Sequence, residues 1–416
     1  MRVPQLEGKG VYLAPIFLLL FVFFMPISAI LKSIFLSCSL AAILFTPHYR
    51  KHLFFAYNTF WGRAAICFFS FILIACLWSS APYSMQWSVV GKYCKVIYFP
   101  ILAVGFIHPR VRNLSINFYL ASIVIICILS ILKSQSIFLV GDAGEVFYNR
   151  IMTGFMIAFG SYLAALMSFQ NKGWLRVLYF LLFLLTSYQV FFINTGKTGY
   201  VIYVLLMSLL LVLKLSFKRA VLGVLFLSCT LGLVYHESVM MQVRVKDLLD
   251  DVKLLQHHNE NTSFGYRIQF NNYAKSLFAT HPLIGIGTGS FTYRFSIDNP
   301  VPAWGNELSD PHSQYWLILS EQGLLGLLFL LTFLGSLFIA SSQLIETRPI
   351  LLGALLSFSV GAFSETMLCY SIAGYLLFVM GALALGELIE KNALKNKVKE
   401  KAVIHPDFNA LGKSQV

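Results

Sequence analysis

His312 stands in the stretch Ser309-Asp310-Pro311-His312-Ser313-Gln314, where a long polar segment gives way to an apolar run. A neutral imidazole accepts a proton near pH 7, so a histidine at such a boundary is a candidate general base. Asp310 suits an N-cap and Pro311 the first helical position, which puts His312 in the first turn of the following helix. The partial positive charge of a helix N-terminus disfavours an imidazolium there. The alternative is an interfacial ring that joins Tyr315 and Trp316 in an aromatic belt. Upstream, Arg267 offers a planar fork suited to phosphate, or else a solvated charge. Lys197, in a tight turn between Gly196 and Gly199, and Arg150, which opens an apolar run on the same side, either bind an anion or snorkel to headgroups. Lys92 and Lys95 lie one helical turn apart inside an apolar run. A charge near the membrane centre costs about 2.5–3.5 kcal/mol on insertion scales, so Lys95, the deeper of the two, is a functional candidate. Glu365 ends another apolar run and is suited to pair with one of these cations or to orient the histidine.

The elements that must position these residues are membrane spans. The chain has 416 residues, 58% hydrophobic and 12% charged, with a mean hydropathy of +0.74. A soluble domain carries about 25% charged residues. Apolar runs of spanning length fall at 11–28, 30–46, 62–79, 88–107, 115–132, 151–169, 174–193, 199–213, 219–236, 314–340, 348–364 and 370–389. The second follows the first almost at once, so the first reads as a retained span and not a cleaved signal peptide. Twelve spans put both termini on one side. Arg50, Lys51, Arg63, Arg110, Arg112, Lys172, Arg176, Lys214, Lys218, Arg219 and Arg348 all fall in turns on that side, together with the tail EKNALKNKVKEK. Opposite turns such as SAPYSMQW lack bases. The positive-inside rule makes the basic side cytoplasmic and puts His312 on the outer face. The expected organisation is nine spans over 1–236, an outer loop over 237–313, three spans over 314–390 and a flexible basic tail over 391–416.

A connection as long as 237–313 is functional or disordered as a rule, and this one carries helical patterns. Met241, Val245, Leu248, Val252 and Leu255 recur at three- and four-residue intervals. Ser263 suits an N-cap for a second helix with Tyr266, Phe270, Tyr273 and Leu277 on one stripe. The loop holds six basic and eight acidic residues, so the net charge of +13 resides in the cytoplasmic turns and tail. Anionic lipid headgroups account for that excess, and no nucleic-acid partner is implied. Six of the seven cysteines fall within spans and Cys369 immediately precedes the last one, which argues against a disulfide framework or a thiolate metal site. GIGTGS, from Gly285 to Ser290, looks like a nucleotide-binding glycine string, but it follows no strand and lies on the outer face. HHNE, from His257 to Glu260, has ligand-type residues at the end of a solvated helix, a weak metal signal.

One base and several fixed cations on one face, with no cofactor signature, suit group transfer from a membrane-anchored diphosphate. Arg and Lys neutralise the departing diphosphate, and the base removes the acceptor's hydroxyl proton. A transporter for an anionic lipid-linked glycan would instead spread its cations through the membrane depth and show paired repeats.

The segment YRIQFNNYAKSLFATHPLIGIGTGSF, followed by DPHSQYWLILSEQGLLGLLFLL, resembles the O-antigen ligase family of Gram-negative bacteria. That group also holds O-antigen polymerases and protein O-oligosaccharyltransferases. Its members similarly show an Arg-bearing helix, an HPL-G-G-G-F turn and a His heading a Gly-containing apolar helix. The resemblance implies an all-α polytopic membrane protein of about twelve spans with one long, partly helical periplasmic loop, a GT-C-like architecture. It also implies transfer of a polysaccharide from undecaprenyl diphosphate to lipid A–core at the periplasmic face of the inner membrane, without a metal or cofactor. His312 matches the family's loop histidine, the proposed base, and Arg267 its loop arginine, proposed to hold the diphosphate. A further family arginine is matched by Lys197, which keeps the charge and loses the bidentate fork. Arg150 or Lys95 is then expected to share the diphosphate. Glu365 has no counterpart in the resemblance.

Overall fold

The computed structural model describes residues 10–136, 141–257, 259–370 and 372–404, and among them every regular element is helical. α1 (Gly10–Phe24), α2 (Ala29–Phe45) and α3 (Pro47–Asn58) open the chain. Then come α4 (Phe60–Ile74), continued by a 3-10 turn over Ala75–Trp78, α5 (Tyr83–Gly105), α6 (Pro109–Ser134) and α7 (Arg150–Gln170). α8 (Gly173–Tyr188) is prolonged by a π-helical turn over Gln189–Ile193 and is followed by α9 (Lys197–Lys214) and α10 (Phe217–Glu237). The long loop contributes α11 (Val239–Gln256), α12 (Ser263–Thr280) and α13 (Ser290–Asp298). α14 (Gln314–Ser341), α15 (Arg348–Ser364) and α16 (Ala373–Ile404) complete the bundle.

Among the described residues nine helices are long and apolar enough to cross a membrane: α4 to α10, α14 and α16. The chain is a polytopic, all-helical membrane protein. The other three apolar runs fall on the shorter helices α1 and α15 and on α2, which meets α3 at a 94° bend. Burial ranks the helices. The apolar windows of α7 and α16 are each 89% buried and form the centre, whereas that of α10 is 6% buried and forms the rim. In lipid, helices associate through close packing and not through water exclusion. Here Phe99 of α5 packs edge-on to Phe378 of α16 at 5.5 Å and to Phe333 of α14 at 6.0 Å, tying three helices together.

In three places the structure departs from the organisation expected of the sequence. Thr262, one residue before the expected Ser263, caps α12 by accepting the Gly265 N–H. α11 forms as expected but has no buried residue, and Leu248 and Val252 of its apolar stripe stay exposed. The tail expected to be flexible is helical as far as Ile404, because ALKNKVKEK continues α16 with good helix formers and no breaker. Its last residues, 405–416, lie outside the described residues.

α14 is broken near its start. Gly323 has φ +65° and ψ −161° inside the helix, which removes the local i to i−4 ladder. Unpaired backbone groups inside a bilayer cost several kcal/mol each, so the break must be filled, and the 282–287 segment fills it. The Leu324 and Leu325 N–H groups donate to the carbonyls of Pro282 and Leu283, at 2.8 and 3.1 Å. In return the Ile286 and Gly287 N–H groups donate to the carbonyls of Ser320 and Glu321, at 2.9 and 2.8 Å. Four hydrogen bonds thus replace the lost ones. The glycine string is the plug of a broken helix and not a nucleotide loop. Gly285 has φ +69°, and a Cβ there would collide with the Glu321 carbonyl carbon. A Cβ on Gly323 would come within 2.5 Å of the Leu283 backbone. Beyond the plug, Thr288 donates its hydroxyl to the Ile72 carbonyl at 2.8 Å, fixing the loop to the end of α4.

Left-handed strain and overpacking together put Gly285→Ala and Gly323→Ala on the order of 2–5 kcal/mol below the parent. Both should lower the apparent melting temperature of the detergent-purified protein by several degrees. Gly335→Ala, on the same helix with open space around its Cβ, should leave it unchanged. Equal behaviour of all three variants would refute the plug.

Candidate functional site

The turn between α15 and α16 begins with Glu365, which is 1% exposed. A buried carboxylate is tolerated only when its oxygens are paired, and both oxygens of Glu365 are. Oε1 accepts from the Arg267 guanidinium of α12 at 2.6 Å, and Oε2 lies 3.3 Å from His312 Nδ1. The tautomer that satisfies the carboxylate carries its proton on Nδ1, so Nε2 presents a lone pair. Three residues from three segments distant in sequence therefore meet at one carboxylate.

His312 is not in the first turn of α14, contrary to the reading of Asp310-Pro311 as cap and first helical residue. Ser313 is the N-cap and accepts from the Trp316 N–H, so the helix begins at Gln314, two residues after His312. His312 has φ +53°, a left-handed conformation that costs about 1–2 kcal/mol for a residue with a Cβ. Asp310 holds it there. Its Oδ1 accepts the His312 N–H at 3.0 Å and also the Thr366 hydroxyl, which joins the two loops beside Glu365. Backbone strain at a residue with a reactive side chain is a mark of a functional position. The ring of Phe270, 6.0 Å away between centroids, packs on His312, and Trp304 and Tyr266 extend this aromatic wall toward solvent.

Two groups hold the 365–370 turn from beneath. Gln314 accepts the Leu368 N–H at 2.7 Å and donates to the Tyr93 hydroxyl at 3.0 Å. Lys95 donates to the Leu368 carbonyl at 2.9 Å and to the Tyr370 carbonyl at 3.5 Å, with its Nζ 4.9 Å from the centre of the Tyr375 ring. The structure does not bring Lys95 to the open face of the site. At 3% exposure its charge is committed to these carbonyls, and it acts as the pin of the turn that carries Glu365.

Arg150, Lys197 and Arg267 do come together. They line one cavity of about 290 Å³ with Arg244, a residue of α11 that sequence reasoning missed. Arg244 has no motif around it and sits in a helix whose sequence signal is its apolar stripe. The cavity also receives the first residues of α9, whose N-terminal N–H groups suit an anion. Carboxylates flank every cation. Arg244 pairs with Asp247 at 2.9 Å, Lys197 with Asp251 at 3.7 Å, Arg150 with Asp142 at 3.5 Å and Arg267 with Glu365 at 2.6 Å. The contacts of Lys197 and Arg150 are loose for charge-assisted hydrogen bonds. Arg244 Nε is buried and has no hydrogen-bond partner among the described residues. A donor in that state awaits an acceptor.

The α7 and α9 ends reach this cavity through a short turn. Asn194 accepts the Gly196 N–H at 2.6 Å and donates to the Arg150 carbonyl at 3.3 Å. Of the weak metal signal, His258 lies outside the described residues, and no cluster of three or more metal-ligand residues occurs among those described. The chain matches no protein-family model and no curated protein sequence.

Burial works against the charge of Asp142. Hydrogen bonds from the Thr195 hydroxyl and the Gly144 N–H, with Arg150 nearby, outweigh it and hold its carboxyl below the usual carboxylate range. A depressed carboxyl contributes stability at pH values above the unfolded value, about 3.9 for Asp, and that stability is lost as pH falls through the folded value. Hydrogen exchange of residues 142–152 should therefore quicken only below about pH 4, and Asp142→Asn should abolish this dependence. Unchanged acid sensitivity in that variant would contradict the assignment.

Proposed function

We propose that the chain is an O-antigen ligase, a glycosyltransferase of the inner membrane of a Gram-negative bacterium with a GT-C-like architecture. It has twelve spans, both termini in the cytoplasm, and a site that faces the periplasm. The donor is a polysaccharide on undecaprenyl diphosphate, and the acceptor is a hydroxyl of lipid A–core. The observation that carries this reading is one carboxylate, Glu365, that links a histidine with a free ring nitrogen to an arginine of a four-cation cavity.

Arg150, Lys197, Arg244 and Arg267 receive the diphosphate, whose negative charge grows as the sugar–phosphate bond breaks. Preorganised cations stabilise that developing charge without rearrangement of solvent, and Arg244 Nε gains the acceptor it lacks. His312 Nε2 takes the proton of the acceptor hydroxyl as its oxygen forms the new bond to the anomeric carbon. The electron pair of the broken bond leaves with undecaprenyl diphosphate, and the cleaved bond supplies the driving force. Glu365 is a positioning residue: it fixes the Nδ1–H tautomer and holds Arg267 at the rim of the cavity. The lysine at 197 supplies charge without a fork, and Arg244 supplies a fork on the same wall.

His312→Ala should abolish transfer while the protein still accumulates in the membrane. Arg267→Lys should keep part of the activity, and Arg267→Ala should lose most of it, about 10²-fold or more, as the removal of a transition-state charge partner does. Full activity of membrane-inserted His312→Ala would overturn the mechanism. Deletion of the gene should leave bare lipid A–core while carrier-linked polymer accumulates. Core that carries a single repeat would assign a polymerase instead, and a normal lipopolysaccharide ladder would point to a protein acceptor.

A further inference from the structure

A second cavity, of about 570 Å³, lies at the end of the bundle opposite His312. It is bounded by the end of α3, the start of α4, the final turns of α14 and residues 388–395 of α16. Its walls divide by chemistry. Phe60 and Ile339 are apolar and each 54% exposed, so they face the surrounding medium, while Leu388 forms the inner apolar wall. Lys391, Asn392 and Lys395 of α16 form a polar rim. Lys391 is committed: its Nζ donates to Glu387 at 2.7 Å and to the Gln343 carbonyl at 2.9 Å. Glu387 in turn accepts the N–H groups of Ile345 and Thr347, at 2.8 and 3.0 Å, at the start of α15. Lys395, one turn further along α16, has no ion pair among the described residues.

The wall also contains Trp61, which is 2% exposed. Its indole N–H is buried and has no hydrogen-bond partner among the described residues. An orphaned buried donor costs about 1–3 kcal/mol, and buried indoles as a rule have an acceptor. An apolar opening, one uncommitted ammonium and one uncommitted N–H donor together describe an amphiphile with an anionic oxygen-rich head. We propose that this cavity is a structural binding site for one anionic phospholipid. The phosphodiester oxygens accept from Trp61 Nε1–H and Lys395 Nζ, and the acyl chains run over Phe60 and Ile339. A zwitterionic lipid would bring its own cation beside Lys391 and Lys395, and inorganic phosphate would leave the apolar wall uncovered. The site is independent of the transfer reaction, and its occupancy fixes the meeting of α4, α14 and α16.

Native mass spectrometry of the full-length protein, stripped of lipid in a neutral detergent, tests this directly. The protein is titrated with phosphatidylglycerol, with phosphatidylcholine of the same chains, and with inorganic phosphate. The wild type should retain one phosphatidylglycerol in clear preference to phosphatidylcholine. Lys395→Ala and Trp61→Phe should each weaken that retention about tenfold, the effect of losing one hydrogen bond to a charged group. Lys395 is at the surface, so Lys395→Ala leaves the fold intact even where a change at Trp61 disturbs packing. Lys218→Ala, which removes an equal charge from an exposed position on α10, should retain the lipid fully. Equal retention of phosphatidylcholine, an equal loss in Lys218→Ala, or undiminished binding by Lys395→Ala would overturn the proposal. Displacement of the lipid by inorganic phosphate would also overturn it and assign a free-phosphate site.

Discussion

The carboxylate of Glu365 is the interaction on which the rest of the site depends. At 1% exposure it is stable as an ion only because Arg267 and His312 each take one of its oxygens. Those two partners belong to the loop helix α12 and to the approach to α14, so the carboxylate closes the long loop onto the membrane bundle. The supporting bonds follow from the same need. Asp310 fixes the backbone of His312 and the hydroxyl of Thr366, and Gln314 and Lys95 hold the turn in which Glu365 sits. Removal of one member leaves a buried charge or an orphaned carbonyl on another, so the set behaves as one unit.

A second constraint comes from the bilayer. Backbone polar groups within it must find partners, and the break of α14 at Gly323 would violate that rule without the 282–287 segment. The plug has a structural consequence for the site. It holds the loop at depth between α4 and α14, and α13 begins three residues after Gly287. From there the chain runs through Val301 and Leu308, both buried in the loop's own core with Phe270 and Phe295, and reaches Asp310. The loop is thus pinned in its middle by the plug and, through Arg267 and His312, by Glu365, with an aromatic core between these anchors.

The apolar runs and the two loop helices are legible in the sequence, because periodicity and length are local properties. The candidate residues are legible as residue types. Their grouping is not, since Arg267 and Glu365 are 98 residues apart in sequence and meet only through tertiary packing. The break at Gly323 is hidden in QGLLGLLFLL, where a glycine among leucines reads as an ordinary helix. Its partner string GIGTGS stands out but has no evident role in sequence, because a plug has meaning only beside the helix that it fills. The sequence puts the helix start at Asp310-Pro311, but Ser313 takes the cap because Asp310 is engaged by Thr366 and the His312 backbone. Lys95 lies too deep for a surface charge, as its place in the apolar run suggests, but depth alone does not say whether a cation meets a ligand or a carbonyl. Arg244 carries no local signal.

The central claim is that a diphosphate sits on the cations beside Glu365. Photocrosslinking tests it most directly, with an undecaprenyl diphosphate analogue that bears a diazirine on the isoprene next to the phosphates. With the diphosphate on those cations, labelled peptides should come from the 194–198 turn, α11 and the start of α12. Labelling should fall sharply when Arg244 and Arg267 are both replaced by Gln. Labelling confined to the opposite end of the bundle, around α3 and α16, or insensitive to both replacements, would contradict the claim.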